Sequence, residues 1–231
     1  MGPLPQSLQD ALRPVTVVVG HYGTGKTNFC MNLAIDAAAA GKAVTVIDLD
    51  VVNPYFRASE QRELLESHGI RLVAPVYAER GTSLDVPSLT GQITPAIQAA
   101  GEGDLVIIDA GGDDVGATAL GRFARVIREK NHAVLYVANR FRNLVQDFDD
   151  AVENLREIEA ASRLAVTAMV NNSHLKSATT PATVEQGMEY AEELCTLTNT
   201  PLVCTTVPVN ISEMAGETLY PIRCFIKNPW E

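Results

Sequence analysis

"VVVGHYGTGKTNFCMN", residues 17–32, joins a β-branched run to a glycine-rich turn and the start of a helix-forming stretch. Within it Gly20, Gly25, Lys26 and Thr27 fit G-x-x-x-x-G-K-[ST], in the strand-then-helix context that this pattern requires. Consecutive backbone N–H groups of such a loop, together with the following helix N-terminus, converge on a phosphate. Lys26 is placed to neutralise β/γ oxygens, and Thr27 to offer its hydroxyl to Mg²⁺. Gly23 and Gly25 let the backbone approach where a Cβ would collide. The candidate nucleotide-binding stretch is therefore Gly20, His21, Tyr22, Gly23, Thr24, Gly25, Lys26, Thr27 and Asn28.

Outward from this loop, apolar runs alternate with amphipathic segments. VTVVV (15–19) precedes a helix from Lys26 to about Ala40, and AVTVID (43–48) follows it, with Gly41 where the helix stops. Further strands are expected at Arg71–Ala74, 105–109, 133–138, 164–170 and 201–207, and helices at Thr94–Ala100, Ala117–Glu129, Leu144–Ala161 and Pro181–Thr198. Strand and helix patterns in alternation mark βαβ units, and nearly continuous apolar strands suit a sheet covered on both faces. The expected fold is α/β: a doubly wound, mainly parallel sheet in a three-layer sandwich. Residues 1–14 read as an N-terminal arm, flexible or a short helix, and 15–231 as one nucleotide-binding domain.

Two more strand ends carry acids. VTVIDLDVVNP (44–54) puts Asp48 and Asp50 beyond a buried strand, and LVIIDAGGDD (105–114) puts Asp109 ahead of Gly111 and Gly112. Ligands gather at the carboxyl ends of parallel strands, so these carboxylates can reach a Mg²⁺–phosphate region. The two glycines permit a backbone N–H to move toward a γ-phosphate. Helix capping is the simpler reading of Asp113 and Asp114.

GHYGTGKTN, IDLDVVNP and IIDAGGDD together resemble the MinD/ParA/CooC class of P-loop ATPases, also called the deviant Walker A or CobQ/CobB/MinD/ParA family. The resemblance runs from about Val15 to Val209. It implies that Asp50 helps place the attacking water close to the metal, that Asp109 supports Mg²⁺ with Thr27, and that Gly111 and Gly112 belong to the second switch. Members with the K-G-G-x-G-K-[ST] loop carry a lysine that reaches the partner subunit's nucleotide. This chain has His21 there and Tyr22 where glycine is usual. His21 is only partly charged near neutral pH, so a substitute cation is sought in Arg57 or Arg80, each of which also reads as a solvated surface charge. By the same resemblance Asn171, in Asn171-Asn172-Ser173-His174, is the adenine candidate, which favours ATP over GTP; a turn-forming asparagine pair is the alternative. Pro208, Val209 and Asn210 would form the other wall of the base pocket.

The bulk composition narrows the function classes. With 231 residues, 46% of them hydrophobic, the chain can bury one large core. Eighteen basic against 28 acidic residues give −10, which opposes a broad grip on nucleic acid or anionic lipid. Cys30, Cys195, Cys204 and Cys224 form no zinc-like spacing and read as buried reduced thiols. No apolar run reaches the roughly 18 residues of a membrane span. The tail LYPIRCFIKNPWE lacks a basic amphipathic pattern, so a membrane-targeting helix is not expected. A cytoplasmic location follows from these features.

The leading expectation is a Mg²⁺-dependent ATP-hydrolysing switch, with residues 51–60 and 110–118 sensing the γ-phosphate and controlling a nucleotide-dependent homodimer or a client protein. Lys26 and Asp50 would be its catalytic residues. One alternative is an ATP-dependent small-molecule kinase or ligase resembling dethiobiotin synthetase, its acceptor held by Asn53, Tyr55, Arg57, Arg80, Thr82 and Ser83. The other is a nucleotide-bound adaptor that does not hydrolyse.

Overall fold

The computed structural model describes residues 4–50, 61–74, 91–112, 114–142, 147–211, 214 and 216–226. Arg57, Arg80, Asp113 and the proposed acceptor residues Asn53, Tyr55, Thr82 and Ser83 lie outside the described residues, as does the expected first switch at 51–60.

Eight strands form one sheet among the described residues. They are β1 (Val15–Val19), β2 (Ala43–Leu49), β3 (Arg71–Val73), β4 (Asp104–Ala110), β5 (His132–Ala138), β6 (Ala168–Asn171), β7 (Leu202–Pro208) and β8 (Leu219–Ile222). Their order is β3-β2-β4-β1-β5-β6-β7-β8, and every pairing is parallel. The α/β expectation is met.

Helices cover both faces, because successive strand side chains point to opposite sides. Val15, Val17 and Val19 of β1 pack into one core with α4 (Ile93–Ala99), α5 (Asp114–Gly121), α6 (Ala124–Arg128), α7 (Phe148–Ser162) and α8 (Pro181–Thr198). Val18 faces the other core, built on α2 (Lys26–Ala39) with Leu8 of α1 (Gln6–Ala11) and Leu65 of α3 (Arg62–Ser67). Leu8 is fully buried, and the Ser7 hydroxyl donates to the Val203 carbonyl at 2.6 Å, so α1 is docked on the sheet.

Several boundaries differ from the sequence reading. The helix expected at 117–129 is two helices: Gly121 packs so closely on α7 that a Cβ would lie 2.6 Å from the Ala161 carbonyl oxygen, and the chain turns there. The strand expected at 164–170 begins only at Ala168: Thr167 N–H still donates to the Val134 carbonyl at 2.9 Å, but Val134 N–H donates to the Thr167 hydroxyl at 3.0 Å and not to a backbone carbonyl. β8 lies beyond the strands expected from the sequence; it contains Pro221, which an edge strand tolerates because it pairs on one side only.

Candidate functional site

The loop from Gly20 to Gly25 links β1, at the centre of the sheet, to α2. Gly25 caps α2 in the left-handed region at φ 92°, and a Cβ on it would strike the Asn172 amide, so both conformation and space call for glycine. Asn172 fastens the loop from outside: its Nδ2 donates to the Thr24 carbonyl at 2.6 Å, and its Oδ1 accepts from the Thr206 hydroxyl at 2.5 Å. The Thr24 hydroxyl donates to the His21 carbonyl at 3.0 Å, and Lys26 Nζ donates to the same oxygen at 3.1 Å. Among the described residues no side chain caps the N-terminus of α2. The first N–H groups of a helix have no intrahelical acceptor, which suits them to an anion.

The acids converge on this loop through register. β2 and β4 pair with Asp48 opposite Asp109, and Asp50 N–H donates to Asp48 Oδ1 at 3.1 Å. All three carboxylates are buried. Neither oxygen of Asp109 has a hydrogen-bond partner among the described residues. Burial, with Asp48 and then Asp50 adding like charge, pushes Asp109 up to about 7, although Thr27 and Lys26 pull it back toward ionisation. Burial, and then Asp109 itself, raise the Cys30 thiol beneath it.

An orphaned buried carboxylate beside a threonine hydroxyl fits a hard divalent cation. Among the described residues no group of three or more His, Cys, Asp or Glu side chains could hold a metal alone. That donor set suits Mg²⁺, which takes one or two protein ligands and fills the rest with water and phosphate oxygens. Thr27 and Asp109 could hold such an ion, with Asp50 close by.

A pocket of about 310 Å³ opens over the loop. Its floor comprises Tyr22, Gly23, Thr24, Gly25, Lys26, Thr27, Asn28 and Asp50, and its walls add Asn139, Arg142, Asn172, His174, Lys176, Cys224 and Ile226. Gly111 and Gly112 stand beside the floor: a Cβ on Gly111 would be 3.4 Å from Asp50 Oδ1, and one on Gly112 would be 2.5 Å from Lys26 Nζ. Tyr22 is half exposed at the rim, while His21 does not line the pocket and has Nδ1 3.2 Å from the Tyr22 carbonyl oxygen. Asn171 is fully buried; its Nδ2 donates to Thr205 Oγ1 at 3.2 Å, and its Oδ1 accepts from Ser173 N–H at 3.1 Å. Pro208 lines an adjoining hollow with Val209 and Asn210.

The wall residues were missed in the sequence reading. Asn139 and Arg142 follow β5, so the rule that strand ends gather ligands could have found them. The Arg142 guanidinium lies against Gly23, about where a Cβ there would touch it at 3.5 Å. His174 accepts from Lys176 N–H through Nδ1 at 3.1 Å; burial, then Arg142 and Lys176, lower its pKa to about 4, which keeps the ring neutral. Of the cysteines, Cys30 and Cys204 are buried, Cys195 is half-buried, and Cys224 is an exposed thiol on the pocket wall; none is in a disulfide.

Among the described residues no helix is long and apolar enough to cross a membrane. No curated protein matches the chain. Similar solved structures include the cell division protein FtsY of Thermotoga maritima, 21% identical with TM-score 0.51 over 90% of this chain and 62% of that one. Another is the signal recognition particle receptor FtsY of Elizabethkingia anophelis in complex with GDP, 19% identical with TM-score 0.54 over 90% and 58%. A third is the signal recognition particle 54 kDa protein of Aeropyrum pernix in complex with GDP, 14% identical with TM-score 0.53 over 83% and 40%. The chain spans less than two thirds of each, and at these identities they speak to the α/β fold alone. The family profile described as CobQ/CobB/MinD/ParA nucleotide binding domain matches residues 15–179, so the chain belongs to that family.

Proposed function

We propose that the chain is a Mg²⁺-dependent nucleoside triphosphatase that works as a molecular switch, with ATP as its nucleotide and a nucleotide-dependent homodimer or client surface as its output. The observation that carries this reading is the closeness of Gly112 to Lys26: a Cβ on the glycine would lie 2.5 Å from the ammonium that would neutralise the transferred phosphate. Exchange of a γ-phosphate for empty space beneath Gly111 and Gly112 would then change the path of that segment.

In this mechanism Lys26 leaves the His21 carbonyl for phosphate oxygens, while the loop amides and the uncapped start of α2 hold the developing charge. Thr27 and Asp109 would hold Mg²⁺, which when bound supplies charge neutralisation for the phosphates. Asp50, on the pocket floor, places the attacking water. Asn171 is the proposed adenine reader. It is fully buried with its amide on Thr205 and Ser173, so this role requires the side chain to turn toward the pocket when a base arrives. Two of the similar structures are described in complex with GDP, so GTP is the competing nucleotide to test.

Phosphate release from Mg-ATP and Mg-GTP, compared between wild type and Lys26→Ala, tests the reading. Turnover that disappears in the variant is expected; wild-type turnover in Lys26→Ala, or none from either nucleotide in the wild type, sinks it. Light scattering with Mg-ADP and then a non-hydrolysable ATP analogue tests the dimer, whose mass should double only with the analogue.

A further inference from the structure

We propose that residues 223–226 form the base-side wall of the nucleotide pocket and are fastened to the phosphate-loop helix by Asn28 and Asn32. This rests on the nucleotide reading above and names the part of the ligand that the wall meets.

Asn28 and Asn32 are four residues apart on α2 and so share one helix face. Both side-chain amides donate to the Arg223 carbonyl at 2.9 Å. In return Arg223 N–H donates to Asn32 Oδ1 and Phe225 N–H to Asn28 Oδ1, each at 2.8 Å. The two asparagines thus do for residues 223 and 225 what a neighbouring strand would do, and they satisfy backbone groups that continue past β8. In an extended segment alternate residues face opposite ways, and the two between and beyond these anchors, Cys224 and Ile226, line the pocket. Lys176 Nζ donates to the Ile226 carbonyl at 3.4 Å and ties the far end to the loop after β6.

The pocket is chemically two-ended. Its floor offers amide N–H groups, Lys26 and carboxylates, the partners of phosphates and a cation. Its walls, besides Asn139, Arg142, Asn172 and His174, offer an isoleucine, a thiol and the aliphatic stem of Lys176, and these three suit the faces of a heteroaromatic base. A nucleoside di- or triphosphate with its phosphates on the loop would therefore set its base against Cys224 and Ile226. Because Asn28 follows Lys26 and Thr27 directly, the phosphate-binding turn and the base wall are mounted on one helix.

The exposed Cys224 thiol reports on this wall in the unmodified full chain. Alkylation by N-ethylmaleimide, followed at each cysteine by peptide mass spectrometry, would be timed with inorganic tripolyphosphate and with whichever of ADP and GDP binds by calorimetry. The nucleotide should slow Cys224 modification about tenfold, as expected for a surface buried under a ligand, while tripolyphosphate should change it less than about twofold. Half-buried Cys195 on α8 serves as the internal control. A nucleotide that binds without protecting Cys224, or tripolyphosphate that protects equally, overturns the proposal. If calorimetry finds no binding of ADP, GDP or tripolyphosphate, the nucleotide reading itself fails. Independently, Asn32→Leu, at a residue outside the pocket lining, should weaken nucleotide binding about tenfold and leave tripolyphosphate unchanged. Equal loss of both, or loss of neither, counts against the wall.

Discussion

Gly112 leaves the room that Lys26 occupies: a Cβ on the glycine would sit 2.5 Å from the lysine Nζ and 2.6 Å from the backbone nitrogen of Tyr22. The lysine tip can swing aside, but the Tyr22 backbone belongs to the phosphate loop and cannot move without deforming it. Gly112→Ala should therefore cost about 1–3 kcal/mol in stability, the usual penalty of overpacking, and reduce phosphate release at least about tenfold. Chemical denaturation and a phosphate-release assay check the two effects; a variant with wild-type turnover would show that the loop accommodates a side chain there.

Asp50 separates binding from chemistry. It is buried on the pocket floor, and its carboxylate lies outside the β2–β4 register pair of Asp48 and Asp109. Asp50→Ala is expected to bind Mg-ATP within about threefold of wild type while hydrolysing it about a hundredfold more slowly, the scale of a lost water-positioning group. Calorimetry alongside single-turnover kinetics measures both. Equal loss in binding and rate would place Asp50 in ligand affinity instead.

The phosphate loop was legible in the sequence because two independent signals, the motif spacing and the strand-to-helix change of period, fall on the same residues. The Asp48–Asp109 pairing was legible in outline, since both acids end apolar strands. The base end of the pocket was not. Arg223 and Asn32 are 191 positions apart, and only the placement of β8 brings them together. The adjacent asparagines Asn171 and Asn172 illustrate the same limit: side chains at a strand end alternate in direction, so a register change of one residue decides which faces the pocket. In the structure Asn172 lines it, while Asn171 is turned into the sheet toward Thr205.

Asp109 makes stability depend on pH. Unfolded, its carboxyl releases a proton near the ordinary value of about 4. Folded, burial with Asp48 and Asp50 holds the proton until about 7. Between these values the folded state binds more protons than the unfolded state, so its contribution is full below pH about 4 and is lost as pH rises through about 7. In EDTA without nucleotide, Asp109 should withdraw about 2 kcal/mol of stability between pH 5.5 and pH 8 and so lower the melting temperature over that range. Asp109→Asn should flatten the profile and be the more stable protein at pH 8. Mg²⁺ with nucleotide should stabilise wild type more at pH 8 than at pH 6, because a metal ligand must be ionised. A wild-type profile that rises with pH and is unaffected by the Asn variant would contradict this account.

The two asparagines at the end of β6, Asn171 within it and Asn172 just past it, predict different phenotypes. Asn172 ties Thr24 of the phosphate loop to Thr206 of β7 through one buried amide, so Asn172→Ala takes its donor from the loop carbonyl and leaves the Thr206 hydroxyl only the longer bond to the Asn171 carbonyl. It should lose about 1–3 kcal/mol of stability and weaken ATP, GTP and tripolyphosphate alike, since the damage is to the phosphate cradle. Asn171→Ala also removes buried bonds, to Thr205 and Ser173, and should destabilise by a similar amount. The proposed reading of adenine adds a second effect: the preference for ATP over GTP should fall about tenfold while tripolyphosphate affinity stays unchanged. Calorimetric titration of both variants with the three ligands separates the roles. If Asn171→Ala loses stability but keeps the wild-type ratio of ATP to GTP affinity, Asn171 is a tie between β6 and β7, and the groups that read the base belong to the walls around His174 and Cys224.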